Sequence, residues 1–464
     1  MIDKKESNKW LTLIILLTGT LLPPLDFFIV NIAIPEIQKG LDTSSAVTQL
    51  IVSIYAISYA VTLVFGGRLG DIYGRKLIFI VGLIGFGLAS AISGFAINSF
   101  TLVFGRLLQG IFAAIMAPQS LAIIRIIFHD KDRTRAMVIY GATVGLASAI
   151  GQALGGVLID INLLDLGWRS IFIINIPIII IALPAALFFI DENKQLNTHG
   201  IDMKGAFILI TGLTALIIPL IEGREQGFPL WCIFLFLLSF LILWIFWKYE
   251  KDLEKKGSSS LVVPSIFKNK GLCRCLLSTC LFFSIMPFFL TFSIYQQSVL
   301  GFGPMDNSIG ILPLGIGCLI GPFLNPGISR YFGNNTFTLG TYIEGLSLIT
   351  ISIIVCTGFH YLFFIPLFTL GFGQGLALPA IVKLTVEQVD VKYAGLAAGL
   401  VNSTLQISGA LSVAVVGGVF FWISSSNTSD KIRDAFAIEL ILIAILLIIS
   451  GSISKRNHLL RKSW

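Results

Sequence analysis

Charge is what this sequence has least of. Only 12% of its 464 residues are Asp, Glu, Lys or Arg, where a soluble chain carries roughly a quarter. So few ions cannot solvate the surface of a core this large, which excludes an ordinary globular enzyme. Histidine is scarce as well: His129, His199, His360 and His458 are scattered along the chain. The cysteines, Cys232, Cys273, Cys275, Cys280, Cys318 and Cys356, lie in or beside apolar runs. None pairs with a histidine at zinc-ligand spacing, and Cys273 and Cys275 are too close for the CxxC of redox or metal sites. They read as inert buried thiols, and no metal site is expected. The pattern also lacks convergent catalytic groups and a ring of repeated filter residues. A membrane-embedded enzyme and a channel are therefore both disfavoured, and no catalytic residue is assigned.

What is there is apolar. The chain is 55% hydrophobic, with 45 Gly and 37 Phe, a composition suited to helices packed closely in lipid. A crossing helix needs roughly 17–25 residues. Fourteen runs qualify: 10–34, 46–65, 77–96, 100–124, 136–158, 171–190, 203–221, 228–247, 272–295, 308–323, 337–355, 361–382, 395–423 and 435–453. The tenth is the shortest and contains Pro313 and Pro322. Residues 1–10 are polar and basic, and no small-residue cleavage site ends the first run. That run is expected to be a retained span, not a signal peptide.

An even number of crossings puts both termini on one side, and basic residues say which. Of the 32 Lys and Arg, 26 fall on the N-terminal side of the runs and 5 on the other, while Arg106 lies inside a run. The expectation is a multi-pass protein of the cytoplasmic (inner) membrane with both termini cytoplasmic. The net charge of +7 is then topological and implies no nucleic-acid partner. The longest cytoplasmic loop, near 248–270, follows runs seven and eight. This predicts an N-terminal six-helix bundle over 1–200, a two-helix insert with its loop over 201–262, and a C-terminal six-helix bundle over 263–464. A repeat supports the duplication. Gly141, Gly145, Ser148, Gln152 and Gly155 share one helical face in run five, and Gly395, Gly399, Asn402, Gln406 and Gly409 repeat that spacing in run thirteen.

An ionisable side chain within a membrane costs about 2.5–3.5 kcal/mol on insertion scales and needs a reason. Asp26 lies in the outer half of run one, after Pro23 and Pro24, which are expected to free backbone carbonyls toward a cavity or ligand. Arg106 lies in run four and stays charged. Gln109, Gly110, Ala113 and Ala117 share its face. Glu344, deep in run eleven, reads as an interhelical structural group. Asn31, Gln109, Gln152, Gln296, Gln297, Gln374, Asn402 and Gln406 are candidate lining groups of a substrate cavity. For each of these alone, helix–helix bonding is an equal reading.

After run two the chain reads Gly66-Gly67-Arg68-Leu69-Gly70-Asp71-Ile72-Tyr73-Gly74-Arg75-Lys76. This resembles motif A of the major facilitator superfamily. Leu25-Asp26 with Ile29-Val30-Asn31-Ile32-Ala33-Ile34-Pro35 is similar to the first-span signature of its fourteen-span drug:proton antiporters. Arg106-Leu107-Leu108-Gln109-Gly110 resembles motif B. Trp168-Arg169 through Phe172, Asn175 and Pro177 resembles the start of the sixth span. Asp202 with Gly205, and Pro264 with Phe267, resemble the flanks of the insert, and Tyr295, Gln297, Leu300-Gly301 and Pro313 resemble spans nine and ten. Two departures stand out: the proline usual before the final glycines of the span-five motif is absent from Gly151-Gln152-Ala153-Leu154-Gly155-Gly156, and Phe28 replaces a threonine.

The resemblance implies an all-α integral membrane fold of two six-helix bundles plus a two-helix insert. It implies proton-coupled export of drugs or other amphipathic small molecules by alternating access, with the proton gradient as energy source and no cofactor. The partners would be a small-molecule substrate, protons and the bilayer, and the chain a monomer. Gly67, Arg68, Gly70, Asp71, Gly74 and Arg75 would form a cytoplasmic latch. Asp26 and Arg106, on cavity-lining spans at similar depth, would approach each other and carry proton coupling. A same-fold transporter of a specific metabolite or siderophore is the alternative.

Overall fold

The computed structural model describes residues 4–162, 165–192, 202–225, 227–256, 261–389, 394–424 and 428–461. Among the described residues the regular structure is helical throughout. The elements are α1 (Lys4–Gly40), α2 (Ser45–Tyr73), α3 (Arg75–Gly94), α4 (Ser99–Ile127), α5 (Asp130–Ile161), α6 (Ser170–Ile173), α7 (Asn175–Phe189), α8 (Met203–Glu225), α9 (Leu230–Lys255), α10 (Lys270–Phe282), α11 (Met286–Ser298), α12 (Pro304–Phe332), α13 (Thr336–Thr357), α14 (Phe364–Val386), α15 (Ala394–Ile423) and α16 (Ser429–Arg461). Among the described residues ten helical segments are long and apolar enough to cross a membrane, one of them, Met305–Thr357, running over both α12 and α13.

Local chemistry sets many of the ends. The Ser44 hydroxyl accepts from the Val47 amide ahead of α2, and the Asn98 carbonyl oxygen accepts from Thr101 N at 2.9 Å ahead of α4. Gly74, at φ +105°, separates α2 from α3, a backbone conformation that suits glycine. Sequence run six is broken between α6 and α7 at Ile174, and run nine is broken by a short 3₁₀ turn, Phe283–Ile285. The tenth run, the shortest in sequence, forms a 29-residue helix with Pro313, Pro322 and Pro326 inside it. Polar residues at both ends extend it beyond its apolar stretch. Prolines are tolerated in a membrane helix because neighbours re-satisfy the freed carbonyls. Large apolar side chains face outward, among them Leu88, Phe188, Phe207, Phe234 and Leu237, as a lipid-facing surface requires.

The described chain forms two compact units. The first comprises Met1–Ala215 with Leu237–Leu261, the second Leu216–Phe236 with Val262–Trp464. In the first, α2 and α3 pack on α4, α1 on α5, and α3 on α7. In the second, α12 and α13 pack on α14, α11 on α15, and α13 on α16. The same pairing recurs in the same chain order. The register recurs as well. A Cβ at Gly110 would overlap Ser58 Oγ and meet the Tyr55 carbonyl, so α4 touches α2 backbone to backbone there. Gly371 of α14 meets the Leu314 carbonyl and Cys318 N of α12 in the same way. The first core gathers Leu16, Leu22, Phe79, Leu83, Phe86 and Met116 from α1, α3 and α4, with Phe128 from the residue that ends α4. The second holds an aromatic stack in which Tyr295 lies 5.0 Å from Phe436, and Phe288 lies 5.2 Å from Phe292.

Candidate functional site

Four helices of the first unit deliver polar side chains to one buried point. Asp26 comes from α1, Ser90 from α3, Arg106 and Gln109 from α4, and Asn175 from the first residue of α7; each is 0% exposed. Arg106 and Gln109 stand three apart, so they share a helical face. The break at Ile174 places Asn175 at a helix start, directed at the same point.

Arg106 donates from Nη1 to Asp26 Oδ2, an ion pair with no exposed surface on either side chain. Asp26 Oδ1 accepts from Gln109 Nε2 at 3.0 Å and from Asn175 Nδ2 at 2.8 Å. Gln109 Oε1 accepts from Arg106 Nη1 at 3.0 Å and from Ser93 Oγ at 3.3 Å, and Gln109 Nε2 also donates to Ser90 Oγ at 2.9 Å. Arg106 Nε donates to the Ile51 carbonyl at 3.3 Å, and the guanidinium carbon lies 4.2 Å from the Tyr55 ring centroid. Tyr55 in turn donates its hydroxyl to the Pro23 carbonyl at 2.8 Å. The doubled proline is thus met by a tyrosine from α2. Arg106 Nη2 and Asn175 Oδ1 are buried with no protein partner among the described residues.

A buried ion pair survives only where further hydrogen bonds satisfy the remaining donors and lone pairs. Here three donors meet the carboxylate and two acceptors plus an aromatic face meet the guanidinium. Protonating Asp26 would remove the attraction and leave a buried cation held by Gln109, a backbone carbonyl and a ring. The ion pair and its hydrogen bonds therefore tie α1 to α4 and α7 at one buried point. The small-residue face of α5 contributes from behind. A Cβ at Gly151 would lie 2.7 Å from the Leu25 carbonyl, and one at Gly155 3.0 Å from the Ile29 carbonyl, so α5 lies directly on the segment carrying Asp26. In the second unit the corresponding Gly409 faces Met286 and Phe283. The surroundings of Gly145 and Gly399 lie outside the described residues.

The other sequence-singled residues are dispersed. Gly66 lies against the Ala114 backbone of α4 and Gly70 against Gln119, whose Nε2 donates to the Gly66 carbonyl at 2.7 Å. Gly67 is open apart from Pro118 at 4.0 Å. Arg75 Nη1 donates to the Ala122 carbonyl at 3.3 Å, and Leu77 N to Glu192 Oε2 at 3.3 Å. The side chains of Arg68, Asp71, Gln152, Asn402 and Gln406 lie outside the described residues. Asn31 is buried in α1. Gln296 is buried in α11 against Gly310, and Gln297 Nε2 donates to Ser293 Oγ at 3.1 Å. Gln374 Oε1 accepts from Cys318 Sγ at 3.5 Å. Of the candidate cavity amides, Gln109 is the one shown joining Asp26 and Arg106. Sequence reasoning missed Ser90 as a site residue and used Asn175 only as part of a motif. It also missed Gln119, and Glu439 in α16, which is 0% exposed. A polar residue opening the apolar sixth run, and an acid inside the fourteenth, were the available signals.

The model of the Major Facilitator Superfamily matches residues 16–413. The chain belongs to the Major Facilitator Superfamily. Its helical composition, its apolar spans and this membership together make it a multi-pass membrane protein of a transporter family. Within the superfamily it is 30% identical over 434 residues to a probable actinorhodin transporter of Streptomyces coelicolor, covering 92% of this chain and 75% of that one. It is 30% identical to the puromycin resistance protein pur8 of Streptomyces alboniger, covering 92% and 84%. It is 26% identical to the multidrug transporter protein MdtP of Bacillus subtilis, covering 93% and 79%. A solved superfamily-fold structure, a bacterial homologue of the human drug peptide transporters PepT1 and PepT2, aligns with a TM-score of 0.66 at 13% identity, covering 98% and 99%. That likeness speaks to fold alone.

Proposed function

We propose that this chain exports drugs or other amphipathic small molecules from the cytoplasm in exchange for external protons. The observation that carries the reading is the Asp26–Arg106 pair, a fully buried carboxylate whose charge is balanced by donors from two helices, α4 and α7. Proton binding at Asp26 and substrate binding would compete through the same helix arrangement, which is exchange by linkage and needs no covalent step. The superfamily relatives named for actinorhodin transport, puromycin resistance and multidrug transport support the export direction. The reading includes fourteen crossings with both termini cytoplasmic, bundles over 1–200 and 263–464 with an insert over 201–262, and a monomer in the cytoplasmic membrane. It includes motif A as the cytoplasmic latch and takes the proton gradient as sole energy source, without a cofactor or catalysis.

The test is accumulation in everted vesicles under an imposed proton gradient. The probes are puromycin, tetraphenylphosphonium and a panel of neutral aromatic antibiotics. Gradient-driven uptake into everted vesicles equals export from the cell. Absence of gradient-driven uptake with every probe, from vesicles shown to contain the folded chain, would remove the drug-export reading in favour of a specific metabolite or siderophore.

A further inference from the structure

The helix α9 carries a face that the Asp26–Arg106 site does not use. Ser239, Phe246 and Glu250 are buried and stand seven and four apart, so they mark its inner face. Leu237, Leu241, Trp244, Lys248 and Lys255 stand four, three, four and seven apart and are all exposed, so they form one outward stripe on the other side. The stripe changes character along its length. It is aliphatic at Leu237 and Leu241, aromatic at Trp244 and cationic from Lys248 onward, with Lys251 exposed at its flank. A membrane changes in the same order, from hydrocarbon through the interface to the headgroups. The lysine-bearing end is also held in place. Tyr249 donates its hydroxyl to Asp202 Oδ1 at 2.9 Å, and the same oxygen accepts from Gly205 N at 2.9 Å at the start of α8.

What separates this face from any apolar helix in lipid is the placement of Lys248. A lysine at the end of an apolar stretch ordinarily extends its ammonium away from the hydrocarbon, toward water. Lys248 does the reverse. Its Nζ lies 3.7 Å from the centroid of the Trp244 ring, one turn back toward the aliphatic part of the stripe. The negative face of the ring attracts the cation, but an ammonium has three donors and the ring covers one side of it. Among the described residues neither Lys248 nor Lys251 forms an ion pair. The pair at this end is Lys255 with Asp252, at 4.0 Å between two exposed side chains, and such a pair contributes little. A cation held at the depth of an interfacial indole, beside a second unpaired lysine, is complementary to an anion at the level of a phosphodiester. A second copy of the chain fits less well. A two-fold contact through this face, with the axis along the membrane normal, would set the lysines of one copy against those of the other.

We infer that the outward face of α9 binds an anionic glycerophospholipid, with its phosphodiester on Lys248 and Lys251 and an acyl chain along Trp244, Leu241 and Leu237. The inference goes beyond the export reading and does not depend on it. It gives this helix a role set by the composition of the bilayer. The preference for a net negative headgroup follows from charge. A zwitterionic headgroup carries its own cation beside the phosphate, and two lysines repel it. A lysine near an anionic membrane surface contributes about fivefold in binding, so each of the two is expected to be separately measurable.

Quenching of tryptophan fluorescence by brominated lipid tests this on the full chain in proteoliposomes. The bilayer is one fixed mixture of phosphatidylcholine and phosphatidylglycerol, with bromine on the chains of one lipid or of the other. The Trp244 signal is the difference between the native chain and Trp244→Phe. Trp231, exposed near the other end of α9 and about 20 Å away along the axis, gives its own difference with Trp231→Phe and serves as reference. At Trp244 the expected result is severalfold more quenching by phosphatidylglycerol than its share of the bilayer predicts, with no such excess at Trp231. Lys248→Gln should lower the preference about fivefold, Lys248→Arg should keep it, and Lys248→Gln with Lys251→Gln should remove it. Should Lys248→Gln lower the yield of folded chain, Lys251→Gln alone carries the same expectation. Equal quenching by the two lipids at Trp244, an equal preference at Trp231, or a preference that survives the double substitution overturns the inference. So does a Trp244 that neither lipid quenches, because protein such as a second copy then covers the face. The readout uses no substrate and no gradient, so its outcome is separate from that of the export assay.

Discussion

Arg106 and Asp26, 80 residues apart in the chain, meet as an ion pair with no exposed surface on either side chain. The pair joins α4 to α1, and Asn175 ties α7 to the same carboxylate at 2.8 Å. The one carboxylate thus holds α1 against both α4 and α7.

Removing one member of the pair should cost more than removing both. Asp26→Asn leaves Arg106 as a buried cation and is expected to lower stability by about 3–5 kcal/mol. Adding Arg106→Gln should recover most of that loss, while neither variant regains gradient-driven export. Thermal unfolding in detergent, read beside vesicle uptake, checks both halves. Equal stability of the single and double variants would show that the pair is not energetically coupled.

Arg106→Lys keeps the charge and should still impair export. A point ammonium cannot donate together to Asp26, Gln109 and the Ile51 carbonyl as the planar fork does. Proton release on substrate binding, followed with a pH dye, should fall with the lysine variant and vanish with Asp26→Asn. Undiminished release from Asp26→Asn would move coupling to another acid.

Asn175→Ala removes one donor from Asp26 Oδ1 without changing any charge. The expected loss is about 1–3 kcal/mol, the cost of leaving a buried acceptor short of a donor. Asn175→Asp should be worse, since it sets a second carboxylate against Asp26. Differential scanning fluorimetry on the two purified variants would reveal a wrong order directly.

Two glycines should respond with opposite signs. Gly110→Ala forces a methyl into Ser58 and the Tyr55 carbonyl and is expected to destabilise by about 1–3 kcal/mol. Gly141, in the interior of α5, has nothing within 4 Å of a built Cβ. Gly141→Ala should stabilise by about 0.5–1 kcal/mol through helix propensity and lost chain entropy. Unfolding midpoints of the two proteins give the comparison.

Much of this protein was legible in the amino-acid order. Hydropathy runs located the long helices, because a lipid-spanning helix must be apolar over its whole length. The matching spacing of Gly141–Gly155 and Gly395–Gly409 signalled a duplicated unit, and the same helix pairings recur in both units. The scarcity of charge singled out Asp26, Arg106 and Glu344, since an ion in an apolar helix needs a reason to be there. Periodicity also put Gln109 on the face of Arg106. The breaks at Ile174 and at Phe283–Ile285 were not legible, because each depends on neighbours and not on a local breaker.

By itself, then, the sequence settled where the long helices lie and which residues share a helical face, because these follow from composition and spacing along one helix. Packing alone decided which of those groups meet. Ser90 and Asn175 look unremarkable in their own helices, and join one network only when α3 and α7 close around it, Asn175 donating to Asp26 and Ser90 accepting from Gln109. The same holds for Phe112 against Gly85 and Glu344 against Gly373, where one space is filled by a ring in one unit and an acid in the other. A side chain's neighbour across a helix interface is fixed by the crossing of two backbones, and that crossing is written in no single stretch of the chain.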